Sequence, residues 1–106
     1  MSEATYYVLA ALLGDRLHGY GIVKEAAALS GGAVKLTTGT LYGALDRLVE
    51  QGLVEPAGEE EVAGRLRRYY RITERGAEAV RAEAGRMRRA ARAVSGRRAA
   101  LEGGGR

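Results

Sequence analysis

The sequence contains no cysteine and a single histidine, His18. Without thiols the chain can form neither a disulfide framework nor a thiolate metal site, and one imidazole makes no metal site unless carboxylates surround it. We therefore predict no metal, no cofactor and no need for an oxidising compartment. At the start of a predicted helix, His18 is expected to have a capping or packing role.

Long apolar runs are also missing. The opening segment, MSEATYYVLAALLGDR, holds an apolar run of about eight residues and lacks the basic segment and the small-residue cleavage pattern of a signal peptide. No stretch approaches the roughly 20 apolar residues that cross a bilayer. We interpret the run as a core helix and expect the protein to reside in the cytoplasm.

Sequence signatures of catalysis are absent as well. The chain has no nucleophile elbow, no phosphate-binding glycine loop and no paired carboxylates placed around a histidine. It also has no internal repeat of the length that builds solenoids or propellers. We predict that the protein is not an enzyme, and its 106 residues fit one compact domain.

Acidic residues are scarce in the second part of the chain. Residues 1–64 carry four basic and nine acidic residues, a net charge of −5, whereas residues 65–106 carry thirteen basic and four acidic residues, a net charge of +9. Such a basic segment favours a polyanionic partner such as nucleic acid. An arginine-rich, solvated helix face would give the same count.

Apolar residues recur at helical spacing in three segments of the first half. The first helix is predicted over residues 5–13, the second over Gly19–Leu29, and the third from the threonine-rich segment at residues 37–40 to a glycine cap at Gly52. The predicted inward positions are Tyr6, Leu9, Leu12 and Leu13 in the first helix, Tyr20, Val23, Ala27 and, as a further candidate, Ile22 in the second, and Leu41, Ala44, Leu45, Leu48 and Val49 in the third.

A β-hairpin is predicted next. One strand begins at Leu53, and the other, Arg65–Ile72, alternates between its two faces. The connector Pro56–Gly64 is rich in glycine and charge, so we expect a mobile, solvated tip. A further brief strand is compatible with Val34–Leu36.

A long helix is predicted from the hydroxyl cap Thr73 to residue 96, with a disordered tail over residues 97–106. Its apolar positions follow a heptad seam that either packs on its own domain or pairs with a second copy, and its length favours pairing. With the first helix, the seam gives the predicted dimerisation residues Tyr6, Leu9, Leu13, Val80, Ala84, Met87, Ala91 and Val94.

This order of elements predicts an α+β, mainly α fold: a winged helix-turn-helix domain over residues 1–72, with an N-terminal helix and a long C-terminal dimerisation helix over residues 73–96. Short motifs mark the ends of the predicted elements. They are His18-Gly19-Tyr20, Thr38-Gly39-Thr40-Leu41-Tyr42, Leu45 with Leu48, Gly52-Leu53-Val54 and Arg68-Tyr69-Tyr70-Arg71-Ile72-Thr73. Their joint spacing resembles the PadR family of bacterial transcriptional regulators. The resemblance implies a homodimer that binds an operator and, in several members, is loosened by a small phenolic or drug-like effector near the dimer interface.

The start of the third helix is the predicted DNA-reading element. Short side chains and the helix dipole let such a helix start approach a phosphate or a base edge. The candidate residues there are Thr37, Thr38, Gly39, Thr40, Tyr42 and, on the preceding helix, Tyr20. Each of Thr37 and Thr38 is alternatively a plain helix cap, and Tyr42 either reaches a phosphate or packs its ring on the second helix.

Arginines beside the hairpin tip are the second candidate contact. Arg65, Arg67 and Arg68 lie on the element that a winged fold presents to DNA, where guanidinium groups pair with phosphates or enter a minor groove. The neighbouring Glu59–Glu61 repels phosphate unless these carboxylates pair with the arginines or the tip bends away.

We predict a homodimeric, sequence-specific transcriptional regulator, a repressor, acting on a pseudo-palindromic operator in double-stranded DNA. The alternative is a winged-helix protein-interaction or adaptor module without specific DNA binding. Tyr6, Tyr7 and Met87 are candidates to line an effector cavity between subunits, although such a cluster at helical spacing is also ordinary core.

Overall fold

The computed structural model describes the backbone of residues 1–104 and the side chains of residues 1–97. Within these residues the elements, in chain order, are α1 (Glu3–Ala11), β1 (Leu17–His18), α2 (Gly19–Leu29), α3 (Thr38–Glu50), β2 (Val54–Val62), β3 (Arg65–Ile72) and α4 (Glu74–Gly104). Three helices followed by a hairpin and a long helix make a winged helix-turn-helix domain, as the sequence predicts.

The three strands form one antiparallel sheet with β3 in the centre, between β1 and β2. The strand β1, Leu17–His18, was not predicted, and the predicted strand at Val34–Leu36 is wrong. The amide of Val34 donates to Ser30 Oγ at 2.9 Å, and the Val34 side chain is buried. This segment therefore closes the end of α2 instead of joining the sheet.

The hairpin is longer and more regular than predicted, because β2 continues to Val62 and the predicted mobile tip over Pro56–Gly64 is mostly strand. Only Ala63 and Gly64 form the turn, with φ angles of 52° and 77°. Two successive residues with positive φ make a tight turn whose twist matches that of the flanking strands.

Charge pairing explains why the acidic segment adopts a strand. Glu59 lies opposite Arg68 and Glu60 lies opposite Arg67 in the antiparallel register. Opposite charges placed directly across a ladder stabilise the pairing. A bulge between Pro56 and Glu59 offsets the register by one residue below these pairs.

The hydrophobic core joins α1, α2, α3, the base of the hairpin and the start of α4. Each fully buried leucine or isoleucine side chain contributes roughly 2 kcal/mol to it. Its members include Val8, Leu9, Leu12, Ile22, Leu41, Leu45, Leu48, Val54, Tyr70 and Val80. The inward positions of α2 are Gly19, Ile22 and Ala26, so Tyr20, predicted to face inward, is instead 68% exposed.

A single hydroxyl joins the end of α3 to the start of α4. Thr73 Oγ1 donates to the carbonyl oxygen of Gly52 at 2.7 Å and accepts from the amide of Gly76 at 3.1 Å. The Thr73 amide also donates to the Leu53 carbonyl at 3.0 Å. The predicted cap at Thr73 is confirmed, and it also fixes the junction between the two helices.

The last helix, α4, is 31 residues long and continues past Gly96, because the following segment is rich in arginine and alanine, which are strong helix formers. Residues 105–106 of the expected tail lie outside the described residues. Along the predicted seam, Val80 is 2% exposed but Val94 is 70% exposed, so the chain itself covers only the first part of the seam. No helix in the described part of the chain has the length and apolar character needed to cross a bilayer.

Candidate nucleic-acid interface

The first turn of α3 presents small polar residues to solvent. Thr37 is the N-cap: its Oγ1 accepts from the Thr40 amide at 3.2 Å and donates to Thr40 Oγ1 at 2.9 Å. The capping interpretation therefore holds for Thr37. Thr38, Gly39 and Thr40 are exposed on the same turn. A helix start of this kind attracts anions, because its amides point outward and the helix dipole is positive there.

Tyr42 packs its ring against the start of α2. A Cβ atom added at Gly19 would lie 2.6 Å from Tyr42 Oη, so Tyr42 takes the space that a larger residue at position 19 would need. Tyr42 is half-buried against the core. Of the two alternatives for Tyr42, the structure therefore shows the ring packed on the second helix. The same contact explains why the residue between His18 and Tyr20 is a glycine.

The two neighbours of Gly19 have different surroundings. His18 is half-buried, and its ring meets the Tyr69 ring edge-on at 5.5 Å between centroids, which fits the expected packing role. Tyr20 points into solvent with Lys24 Nζ 5.6 Å from its ring centroid. An exposed aromatic hydroxyl and an ammonium group therefore stand together on the outer face of α2.

The starts of α2 and α3 and the end of the hairpin enclose an open cleft of about 880 Å³. From the helices, Tyr20, Thr38 and Tyr42 line it, together with apolar side chains of α2 and Leu36. From the hairpin it is lined by Val62, Ala63, Arg65, Leu66, Arg67 and Arg68. Among the described residues that line the cleft there are three arginines and no carboxylate, so the lining carries positive charge.

Two of the three glutamates near the hairpin tip lie within ion-pair distance of arginines. Glu59 lies 3.8 Å from Arg68 Nε, and Glu60 lies 4.0 Å from Arg16 Nη2. Within residues 1–97, Arg65 and Arg67 take part in no ion pair within 4.0 Å. The predicted alternative that Glu59–Glu61 pairs with arginines therefore holds for Glu59 and Glu60. Arg65 and Arg67 remain available to bind another group.

The predicted dimerisation residues divide into two groups. Leu9 and Val80 are buried within the subunit, at 0% and 2% exposure, and offer a second copy no surface. Leu13, Met87 and Val94 are 40%, 39% and 70% exposed. The remaining predicted residues are Tyr6 and Ala84, which are half-buried, and Ala91, which is exposed. The accessible part of the predicted seam is therefore Met87, Ala91 and Val94 of α4, with Leu13 shortly after α1.

The residues proposed for an effector lie outside the cleft. The rings of Tyr6 and Tyr7 meet edge-to-face at 5.1 Å between centroids, and Tyr6 packs on the core. Nearby, Arg86 donates two hydrogen bonds to Glu83, at 2.6 and 3.1 Å, and the pKa of that carboxyl is held below its ordinary value by this pairing. This ion pair lies on α4, one helical turn from the exposed Met87.

The contacts that Arg16 makes within its own chain were not predicted from the sequence. Arg16 donates to the Ala57 carbonyl at 2.8 Å and lies over the Tyr69 ring at 4.3 Å. Its hydrogen-bond partner is 41 positions away in the chain, so no local periodicity reveals the contact.

A fold of this kind, with a positively charged cleft between its third helix and its wing, defines a winged helix-turn-helix protein. A family model described as the transcriptional regulator PadR-like family matches residues 8–82. The chain belongs to this family, and the predicted resemblance and fold class are confirmed. No curated protein sequence matches the chain.

Solved structures show the same fold. A PadR family transcription regulator from Clostridium difficile is similar with a TM-score of 0.74 and 22% identity over 89% of this chain and 96% of that one. A transcriptional regulator from Clostridium thermocellum has a TM-score of 0.71 and 24% identity over 87% and 86% of the two chains. Bacillus subtilis PadR in complex with operator DNA has a TM-score of 0.66 and 20% identity over 76% of this chain and 45% of that one.

Proposed function

We propose that this PadR-family protein is a sequence-specific DNA-binding repressor that acts as a homodimer on a pseudo-palindromic operator. The observation that carries the proposal is the cleft, lined by three arginines and by the exposed start of α3. A winged helix-turn-helix places its recognition helix in the major groove. The solved complex of Bacillus subtilis PadR with operator DNA supports the same use of the fold.

In this proposal the start of α3 contacts base edges, and the wing binds the sugar-phosphate backbone of the DNA. Thr38, Gly39 and Thr40 are small and exposed, so the backbone of the helix can come close to base edges. Arg65 and Arg67 pair with phosphates, which positions the protein without reading sequence. Tyr20 and Lys24, on the outer face of α2, contact the same strand.

The distal half of α4 holds the second copy in this proposal. Beyond Ala84 the seam residues of α4, including Met87 and Val94, are exposed. Covering them against a partner removes apolar surface from water, and two copies then place two α3 helices about 34–36 Å apart, one turn of B-DNA. A small phenolic or drug-like effector bound beside Tyr6, Tyr7 and Met87 would change this spacing and release the operator.

Selection of bound duplexes from a random pool at near-physiological salt tests the proposal. We expect enrichment of one pseudo-palindromic sequence, bound with an affinity that falls steeply with salt. Thr40→Ala should change the enriched sequence, because the Thr40 side chain lies on the reading face. Weak, salt-insensitive association with all duplexes would instead favour the adaptor alternative and contradict DNA recognition.

A further inference from the structure

Arg16 crosses the sheet on its outer face. It directly precedes β1 and lies over the Tyr69 ring of β3, with 4.3 Å from Cζ to the ring centroid. Its Nη1 donates to the Ala57 carbonyl of β2 at 2.8 Å, and its Nη2 lies 4.0 Å from Glu60 Oε2. One guanidinium thus contacts both long strands of the wing.

The hydrogen bond to Ala57 uses the bulge in β2. Register is interrupted between Pro56 and Glu59, so Ala57 pairs with no residue of β3 and its carbonyl is open to Arg16. The planar guanidinium combines this bond with stacking on Tyr69, which an ammonium group does not reproduce. The exposed ion pair to Glu60, at 4.0 Å, contributes little to stability. The position of Arg16 is therefore fixed by its hydrogen bond to Ala57 and its stacking on Tyr69.

The position of Glu60 gives this contact a consequence for the wing. Glu60 lies directly opposite Arg67 in the ladder, on the same face of the sheet. In the structure the Glu60 carboxylate is within ion-pair distance of Arg16 and not of Arg67. Arg16 and Arg67 therefore compete for one carboxylate, and in the structure that carboxylate lies within 4.0 Å of Arg16.

We propose that Arg16 is a positioning residue that occupies Glu60 and thereby leaves Arg67 free to bind a DNA phosphate. The inference rests on the proposed function for its DNA arm, because Arg67 is there the phosphate contact. When an uncharged residue replaces Arg16, the Glu60 carboxylate pairs with Arg67, and Arg67 is then no longer available to bind a phosphate. The loss is electrostatic, and removing the Glu60 charge reverses it.

The structural arm of the test needs no DNA. The ¹⁵N–¹H Nε signal of Arg67 in the free protein reports whether its guanidinium is held in an ion pair. We expect the signal of a free side chain in the wild type, that of a paired side chain in Arg16→Ala, and a free one again in Arg16→Ala/Glu60→Gln. An Arg67 signal unchanged by loss of Arg16 overturns the proposal, whether or not the protein binds DNA.

The DNA arm is a double-mutant cycle on the selected duplex, with the same variants. Arg16→Ala should weaken binding between about three-fold and ten-fold at 0.1 M salt and reduce the salt slope by about one unit. Adding Glu60→Gln should restore both affinity and slope. In an Arg67→Ala background, Arg16→Ala should have no further effect on either.

Two variants separate this role from the other roles that Arg16 could have. Arg16→Gln removes the charge but keeps a shorter polar side chain, and it should lower the slope as Arg16→Ala does. Arg71→Ala, which removes another exposed wing arginine paired to Glu55 at 3.2 Å, is the matched control and should leave binding unchanged. Affinity that Glu60→Gln does not restore shows that Arg16 itself touches phosphate or only maintains the fold, and the proposal then fails.

Discussion

The close approach of neighbouring atoms explains why glycine stands at positions 19 and 76. Gly19 leaves room for the Tyr42 hydroxyl, and Gly76 leaves room for the backbone of Leu53. The difference between them is what the added atom would meet. The end of a tyrosine side chain can move aside, whereas the Leu53 carbonyl is held by its hydrogen bond from the Thr73 amide.

Gly76→Ala should therefore destabilise the protein strongly. Its new methyl group would overlap the Leu53 carbonyl oxygen and lie 2.7 Å from Ile72 Cγ1, and overpacking of this kind costs about 2 kcal/mol or more. Gly85→Ala is the matched control in the same helix. Its nearest neighbour is the flexible end of Arg89, so it should stabilise the helix by about 0.5–1 kcal/mol. The measurement is the melting temperature of each variant in thermal unfolding. Equal melting temperatures for the two variants would contradict the close packing of Gly76 on Leu53.

Tyr70 gives the fold a dependence on alkaline pH. Burial raises the pKa of its phenol above the ordinary value of 10.0, with a smaller contribution from Tyr42. Because the folded protein holds this proton more tightly than the unfolded chain, the contribution to stability is complete below pH 10 and is lost as pH rises through the raised pKa.

Tyr70→Phe should remove that dependence. At neutral pH the variant should unfold within about 1 kcal/mol of the wild type, since the ring and its packing are kept. Above pH 10 it should be the more stable of the two. The measurement is the change in melting temperature between about pH 8 and about pH 11, and parallel loss in both proteins would show that Tyr70 does not titrate with unfolding.

At the scale of elements, the hairpin shows what the sequence can and cannot predict. The strand β3 begins and ends at the predicted residues, because its alternation is visible in the chain. The strand β2 was missed over Pro56–Val62, because its glutamates look like a solvated loop until the register places them opposite arginines. The threonine-rich start of α3 was predicted from its composition. The contacts of Arg16 with the wing were not predicted, because its partners lie in a distant part of the chain.

Arg67→Ala tests the hairpin as a DNA-contacting element. Within residues 1–97 Arg67 has no ion-pair partner within 4.0 Å, so its charge is available to a phosphate. We expect weaker binding to all duplex sequences and a salt slope reduced by about one unit. Arg68→Ala is the comparison, since Arg68 is paired with Glu59 at 3.8 Å and should have the smaller effect. An unchanged slope for Arg67→Ala would remove Arg67 from the interface.

The whole molecule is elongated, with principal extents of 68 × 26 × 21 Å. Much of that length is α4, whose first turns pack on α1 and β3 and whose later seam positions are exposed. A helix with an exposed apolar seam gains stability when a second copy covers it. We therefore expect two copies of the chain to associate through this seam.

Val94→Glu should weaken self-association by at least about ten-fold, because it places a charge on the proposed seam. Ala93→Glu adds the same charge one position away, on a different side of α4, and should leave association unchanged. Sedimentation of both variants and the wild type across a range of concentrations checks this. If the wild type sediments as a single subunit at working concentrations, the homodimer proposal fails.

The junction at Thr73 bears on how a signal could pass between the two ends of such a molecule. Its hydroxyl and amide donate to the carbonyls of Gly52 and Leu53, directly after α3, and Gly76 lets the start of α4 lie against the Leu53 backbone. Because these contacts are direct, the start of α4 cannot rotate far without moving the end of α3. Tilting α4 would therefore turn α3 in the same movement. In the proposed homodimer, the angle between the two subunits would then set the direction in which each α3 points.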